Sequence, residues 1–198
     1  MKTQQLVYGM GVNDLDEPVY INGKQLKFYG TWTQMLQRCF SGKSQAKYPT
    51  YIGCTVSKEW LSLSAFKVWF NANYRENAEL DKDILVKGNK VYSPETCRFV
   101  PHYVNSLLTD DGAARGELPL GVRARKPSPN TRRINTTYEA QCSDGNGKKF
   151  SKTFRSIQEA AAWYSMTKKK VANEQATRAL EAGDITEDVY QALVTREW

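Results

Sequence analysis

The sequence predicts an α+β protein made of two small domains, and three observations carry that prediction. Residues 79 to 108 run strand, turn, strand and helix, the order of a ββα unit. Residues 119 to 181 hold three strand candidates joined by tight turns, followed by one long amphipathic helix. Between them, TDDGAARGELP has the composition of a linker. The expected boundaries are 1–108 for the ββα domain with its preceding strands and helices, 109–118 for the linker, and 119–198 for a sheet-and-helix domain ending in a short helix.

Each element has a local reason. GVNDLDEPVYINGKQLKFYGTW reads as short strands around Asn22-Gly23, a dipeptide suited to a hairpin. In TWTQMLQRCF, Thr31 is the expected cap, and Trp32, Met35, Leu36 and Cys39 recur at helical spacing. SGKSQAKYPTYIG reads as a loop. A helix after Ser57 places Trp60, Leu63, Phe66, Trp69 and Phe70 on one side as a core stripe. LDKDILV and KVY read as strands about the Lys87-Gly88-Asn89 turn, Ser93 or Thr96 as caps, and Pro101 as the earliest helical start in the run to Leu108.

In the second half, GVRAR, TTYEAQCS and KKFSKTF are the strands. Asp144-Gly145 and Asn146-Gly147 favour the positive dihedrals of a tight hairpin. Ser156 and Glu159 form a capping box for the long helix. Gly183-Asp184 ends that helix, and Thr186 caps a last short one over ITEDVYQALVTREW.

The chain has 198 residues, 40% of them hydrophobic, enough to bury a core in each half. MKTQQLVYG has no signal-peptide core and no apolar run is long enough for a bilayer, so the expected location is cytoplasmic. Cys39, Cys54, Cys97 and Cys142 contain no C-x-x-C pair and read most simply as buried thiols. Cys39, Cys54 and Cys97 with the single histidine, His102, form an alternative zinc set, because C-x4-H is a workable ligand spacing.

Net charge is +7, unevenly placed. Residues 1–112 hold 13 Lys/Arg against 11 Asp/Glu, residues 113–178 hold 14 against 5, and residues 179–198 hold 1 against 5. A middle block of +9 is the footprint expected of a phosphate-backbone partner, with a solvated basic face as the alternative. Alternation in GVRAR puts Arg123 and Arg125 on one face. Lys126, Arg132, Arg133, Lys149 and Lys152 add candidate contacts to double-stranded DNA, Arg suiting guanine edges and phosphates. Tyr138 extends that face or joins the core.

Residues 118 to 176 resemble the AP2-type DNA-binding domain of plant transcription factors and phage endonucleases. The likeness rests on the Gly-Val start, TYEA, the F-x-S-x-x-E-A junction and the A-x-x-Y helix. It implies a sheet lying in the major groove, with Arg123 and Arg125 where such domains touch DNA.

LDKD, then Gly-Asn, then SPETCRFVP and a closing Asn similarly resemble the phage homing-type HNH (ββα-metal) endonucleases, which are often joined to an AP2-like domain. The resemblance implies Asp81 and Asn105 as ligands of Mg2+ or Mn2+, with Lys82 where the family keeps its general-base histidine. Thr96 stands where an asparagine orients that histidine. A lysine donates rather than accepts protons at neutral pH. The base would then fall to Asp83, His102 or a metal-bound water, with Lys82 on the scissile phosphate. The expected function is a divalent-metal DNA endonuclease. The alternatives are a catalytically degenerate HNH-fold DNA-binding regulator or inhibitor, and a module for an acidic protein partner.

Overall fold

A computed structural model describes residues 6–108, 117–127 and 134–198. They form an α+β chain with small sheets, six α-helices and two compact units, 1–99 and 100–198. The expected linker falls mostly on residues 109–116, outside the described residues.

The first unit starts as its turn chemistry requires. Strands β1 (Tyr20–Ile21) and β2 (Lys24–Gln25) pair antiparallel across Asn22 and Gly23, at φ 50° and 73°. Helix α1 (Lys27–Phe40) begins four residues before the expected Thr31 cap. Thr31 is internal, its hydroxyl donating to the Lys27 carbonyl at 3.0 Å. The apolar stripe reaches back to Phe28, and burial of Phe28 and Trp32 outweighs the local cap signal. The expected loop after Phe40 instead contains helix α2 (Gly42–Lys47), because the Ser41 hydroxyl accepts the Ser44 N–H. A 3-10 turn follows at Pro49–Tyr51.

Trp60 sits in a 3-10 turn (Lys58–Leu61), and helix α3 (Leu63–Asn73) starts only after Ser62, whose hydroxyl accepts the Ala65 N–H. Asp14 reinforces that start, accepting from Ser62 Oγ and Ser64 Oγ, both at 2.7 Å, and from Ser64 N at 2.8 Å. Trp60, Leu63, Phe66 and Phe70 are buried with Trp32 and Leu36, and Trp69 packs against them. The stripe is core. The Trp32 indole donates to the buried Trp60 carbonyl at 2.7 Å and ties α1 to that turn.

The strands around Asp81 pair differently from the expected hairpin. Strand β3 (Thr55–Val56) is parallel to β5 (Val91–Tyr92), while β4 (Ala78–Asp81) pairs with β6 (Arg98–Pro101). LDKDILV is therefore a strand only as far as Asp81. The Asp81 carboxylate captures the next N–H groups and turns the chain away. Ser93 and Thr96 close a turn rather than cap a helix, with Cys97 N–H donating to the Ser93 carbonyl at 2.9 Å. Helix α4 (His102–Asn105) starts directly after Pro101, and a 3-10 turn (Ser106–Leu108) extends it.

In the second unit, β7 (Val122–Arg125), β8 (Thr137–Ser143) and β9 (Lys149–Phe154) form one antiparallel sheet in the order β7-β8-β9. Helix α5 (Ile157–Glu181) crosses one face. Its Ser156 cap accepts the Glu159 N–H at 3.0 Å, as the capping box requires. Gly183 (φ 73°) ends it, and α6 (Glu187–Val194) follows. Thr186 holds the cap position of α6, but its hydroxyl donates to the Asp188 carboxylate. Leu107 is buried with Val122, Ala140, Cys142, Ala160, Tyr164 and Val171, so the residues just after α4 belong to this core. Tyr103 Oη also donates to Asp184 here, at 2.9 Å. No helix among the described residues is long and apolar enough to cross a membrane.

Candidate functional site

Register decides which basic residues share a face. Arg123 lies opposite Glu139, and Glu139 opposite Thr153, while Val122, Ala140 and Lys152 align on the other side. The first row, with Arg125, Gln141, Ser151 and Lys149, is the face turned from α5. Arg123 and Arg125 therefore do lie together, as the alternation predicts. Lys149 joins them. Lys152 does not: it stands on the opposite side with its ammonium 5.4 Å above the Phe154 ring. Tyr138 also falls on the helix side and packs against the core. Lys126 is exposed just beyond β7, and Arg132 and Arg133 lie outside the described residues.

The centre of the arginine face is a buried acid. Glu139 is only 7% exposed and takes both guanidiniums on one oxygen, Arg125 Nε at 2.8 Å and Arg123 Nε closer still. Burial would raise its pKa, but the two arginines outweigh burial and hold the carboxyl below its ordinary range. The arginine heads remain open to water, with 59% of the Arg123 side chain and 37% of the Arg125 side chain exposed. The sequence reading missed Glu139. Strand parity alone could not place it, because a one-residue slip in the pairing of GVRAR with TYEAQ would turn Glu139 to the other face.

The second locus is the loop after β4. Asp81 Oδ1 accepts the Asp83 N–H at 2.8 Å and the Ile84 N–H at 2.7 Å. Burial, then the charge of Asp83, pushes the Asp81 carboxyl up to about 6. Lys82 is buried, its ammonium 3.0 Å from Asp83 Oδ2. The Asn89 carboxamide ties the loop shut, donating to the Lys82 carbonyl at 2.6 Å and the Val91 carbonyl at 2.7 Å. Thr96 Oγ1 donates to the Val91 carbonyl at 2.9 Å, so it braces the same turn.

Asn105 ends α4 in the second unit, and His102 begins that helix on the surface. Asp81 and Asn105 thus belong to different units. All four cysteines are buried free thiols. Burial pushes Cys39 and Cys97 up to about 12, the condition of unreactive thiols. Among the described residues, no three His, Cys, Asp or Glu side chains are grouped as a metal would require.

The arrangement defines an α+β chain whose small three-stranded sheet presents a braced arginine pair. Comparison with protein-family models, with curated proteins and with solved structures finds no match to the chain.

Proposed function

We propose that the chain binds double-stranded DNA through the arginine face of β7–β9. One observation carries the reading: Arg123 and Arg125 project from one side of a helix-backed sheet, with Lys149 on the same side and Glu139 beneath both. Planar guanidinium forks match phosphate oxygens and guanine edges, and a sheet of this width fits a major groove. The +9 balance of residues 113–178 supplies the surrounding field.

The test is double-stranded DNA affinity as a function of salt. Arg123→Ala with Arg125→Ala is expected to weaken binding at least about tenfold and to flatten the salt slope by roughly two. Glu139→Gln keeps the shape, removes the internal anion, and is expected to tighten binding about fivefold by freeing both forks. Unchanged affinity in the double variant would rule out this face.

A second reading adds phosphodiester hydrolysis supported by Mg2+ or Mn2+ held at Asp81. It is favoured by Asp81, an acid kept above its ordinary range beside Asp83, since a divalent cation would relieve that repulsion. Hard oxygen ligands suit Mg2+. Against a complete site, Asp81 commits one oxygen to two backbone N–H groups, and the Lys82 ammonium beside Asp83 is no proton acceptor. Supercoiled plasmid with either metal separates the readings: nicking upholds hydrolysis, and binding without nicking leaves the DNA-binding reading alone.

A further inference from the structure

The first unit contains a cleft that neither reading uses. It measures about 440 Å3 and is lined by Gln34, Gln37 and Arg38 of α1, Ser44 of α2, and Tyr48 and Tyr51 around the following turn. Gln34, Gln37 and Arg38 share one helix face by their spacing. Helix α2 is held against α1 by the Gln45 carboxamide, which donates to the Cys39 carbonyl at 2.8 Å, so the two walls are fixed to each other.

The lining is specific in its chemistry. Arg38 is partly buried, with its guanidinium carbon 5.2 Å from the centre of the Tyr51 ring. Its guanidinium donates a long hydrogen bond, 3.4 Å to Tyr92 Oη, and carries further N–H donors. Tyr48 is 49% exposed, stands edge-on to Tyr51 at 6.3 Å, and carries the Lys47 ammonium 5.0 Å from its ring. Every wall comes from residues 18–58, a stretch with six Lys/Arg and no Asp/Glu. An exposed Tyr48 ring, carboxamides able to donate and accept, and two cations, of which Arg38 also feels the charge of Glu79, describe one ligand class.

We propose that this cleft binds an unpaired nucleotide of a single-stranded nucleic acid. The base stacks on Tyr48 with Tyr51 edge-on beside it, Gln34 and Gln37 meet its hydrogen-bonding edge, and Arg38 with Lys47 takes the phosphate. The site is separate from the arginine face, and its failure would leave the double-stranded DNA reading intact.

The experiment uses the full chain and a labelled oligothymidylate of about 12 nucleotides, read by fluorescence anisotropy. Tyr48→Ala is expected to weaken binding about tenfold, and Tyr48→Phe, which keeps the ring, to bind as the original chain does. Arg123→Ala with Arg125→Ala should retain most of the oligothymidylate affinity while losing duplex affinity. Circular dichroism checks that each variant is folded, and the exposure of Tyr48 makes its truncation benign. Thymidine monophosphate is the second arm: saturable binding with the same Tyr48 dependence upholds the cleft and assigns free nucleotides as its ligand. Equal oligothymidylate affinity in Tyr48→Ala and the original chain overturns the proposal, as does loss of that affinity only in the arginine variant.

Discussion

Alanine at Gly121 is expected to destabilise the second unit by about 3 kcal/mol and to lower its melting temperature by more than about 10 °C. Two costs add. Gly121 is the third residue of the Pro119–Val122 turn, where φ is +71° and the Val122 N–H donates to the Pro119 carbonyl at 3.1 Å. A β-carbon there would also lie 2.0 Å from the Tyr164 ring, which is buried against the sheet. Gly183 supplies the control, since it has φ +73° and nothing within 4 Å of the same added carbon. Alanine at Gly183 should cost only the dihedral term, about 1 kcal/mol. Thermal unfolding of both variants measures the difference, and equal losses would show that the ring contact is unimportant. Gly121 also sets the start of β7, so its loss should disturb the seating of Arg123 and Arg125 over Glu139 and weaken duplex binding.

Asp81→Asn should make the chain more stable at alkaline pH, a gain expected only where an acid is held ionised at a cost. The folded carboxyl is raised from 3.8 to about 6, chiefly by burial and then by Asp83. The fold therefore favours the protonated form. That contribution is fully present below the unfolded value near 3.8 and is lost as pH rises through about 6. Above that pH the ionised acid opposes folding, by about 2 kcal/mol after allowance for solvent. Asparagine keeps an oxygen for the Asp83 and Ile84 N–H groups while removing the charge. Urea unfolding with chelator should show a gain of about that size at pH 8 and almost none at pH 4. A loss of stability at both pH values would contradict the assignment. If the hydrolytic reading holds, the same variant loses plasmid nicking, so stability and activity would move in opposite directions.

Parts of the structure are written within a few residues of chain. Asn22-Gly23 specifies its hairpin, Ser156 with Glu159 starts α5, and the alternation of GVRAR puts two arginines on one side. These depend on dihedral preference and strand parity, which neighbours alone decide. Thr31 shows the limit of such signals: a hydroxyl suited to capping is overruled when Phe28, one turn earlier, gains burial.

By itself the sequence determined the α+β class, the three strands and helix of the second unit, the placement of positive charge in residues 113–178, and the joint orientation of Arg123 and Arg125. Tertiary structure alone decided that β5 pairs with β3 rather than β4, that Leu107 joins the second core, that Glu139 lies beneath the arginines, and that Asp81 is buried beside Asp83. The difference is physical. Local preferences act over one turn or one strand, whereas pairing partners, buried acids and the raised Asp81 carboxyl arise from groups that meet only after the chain has closed on itself.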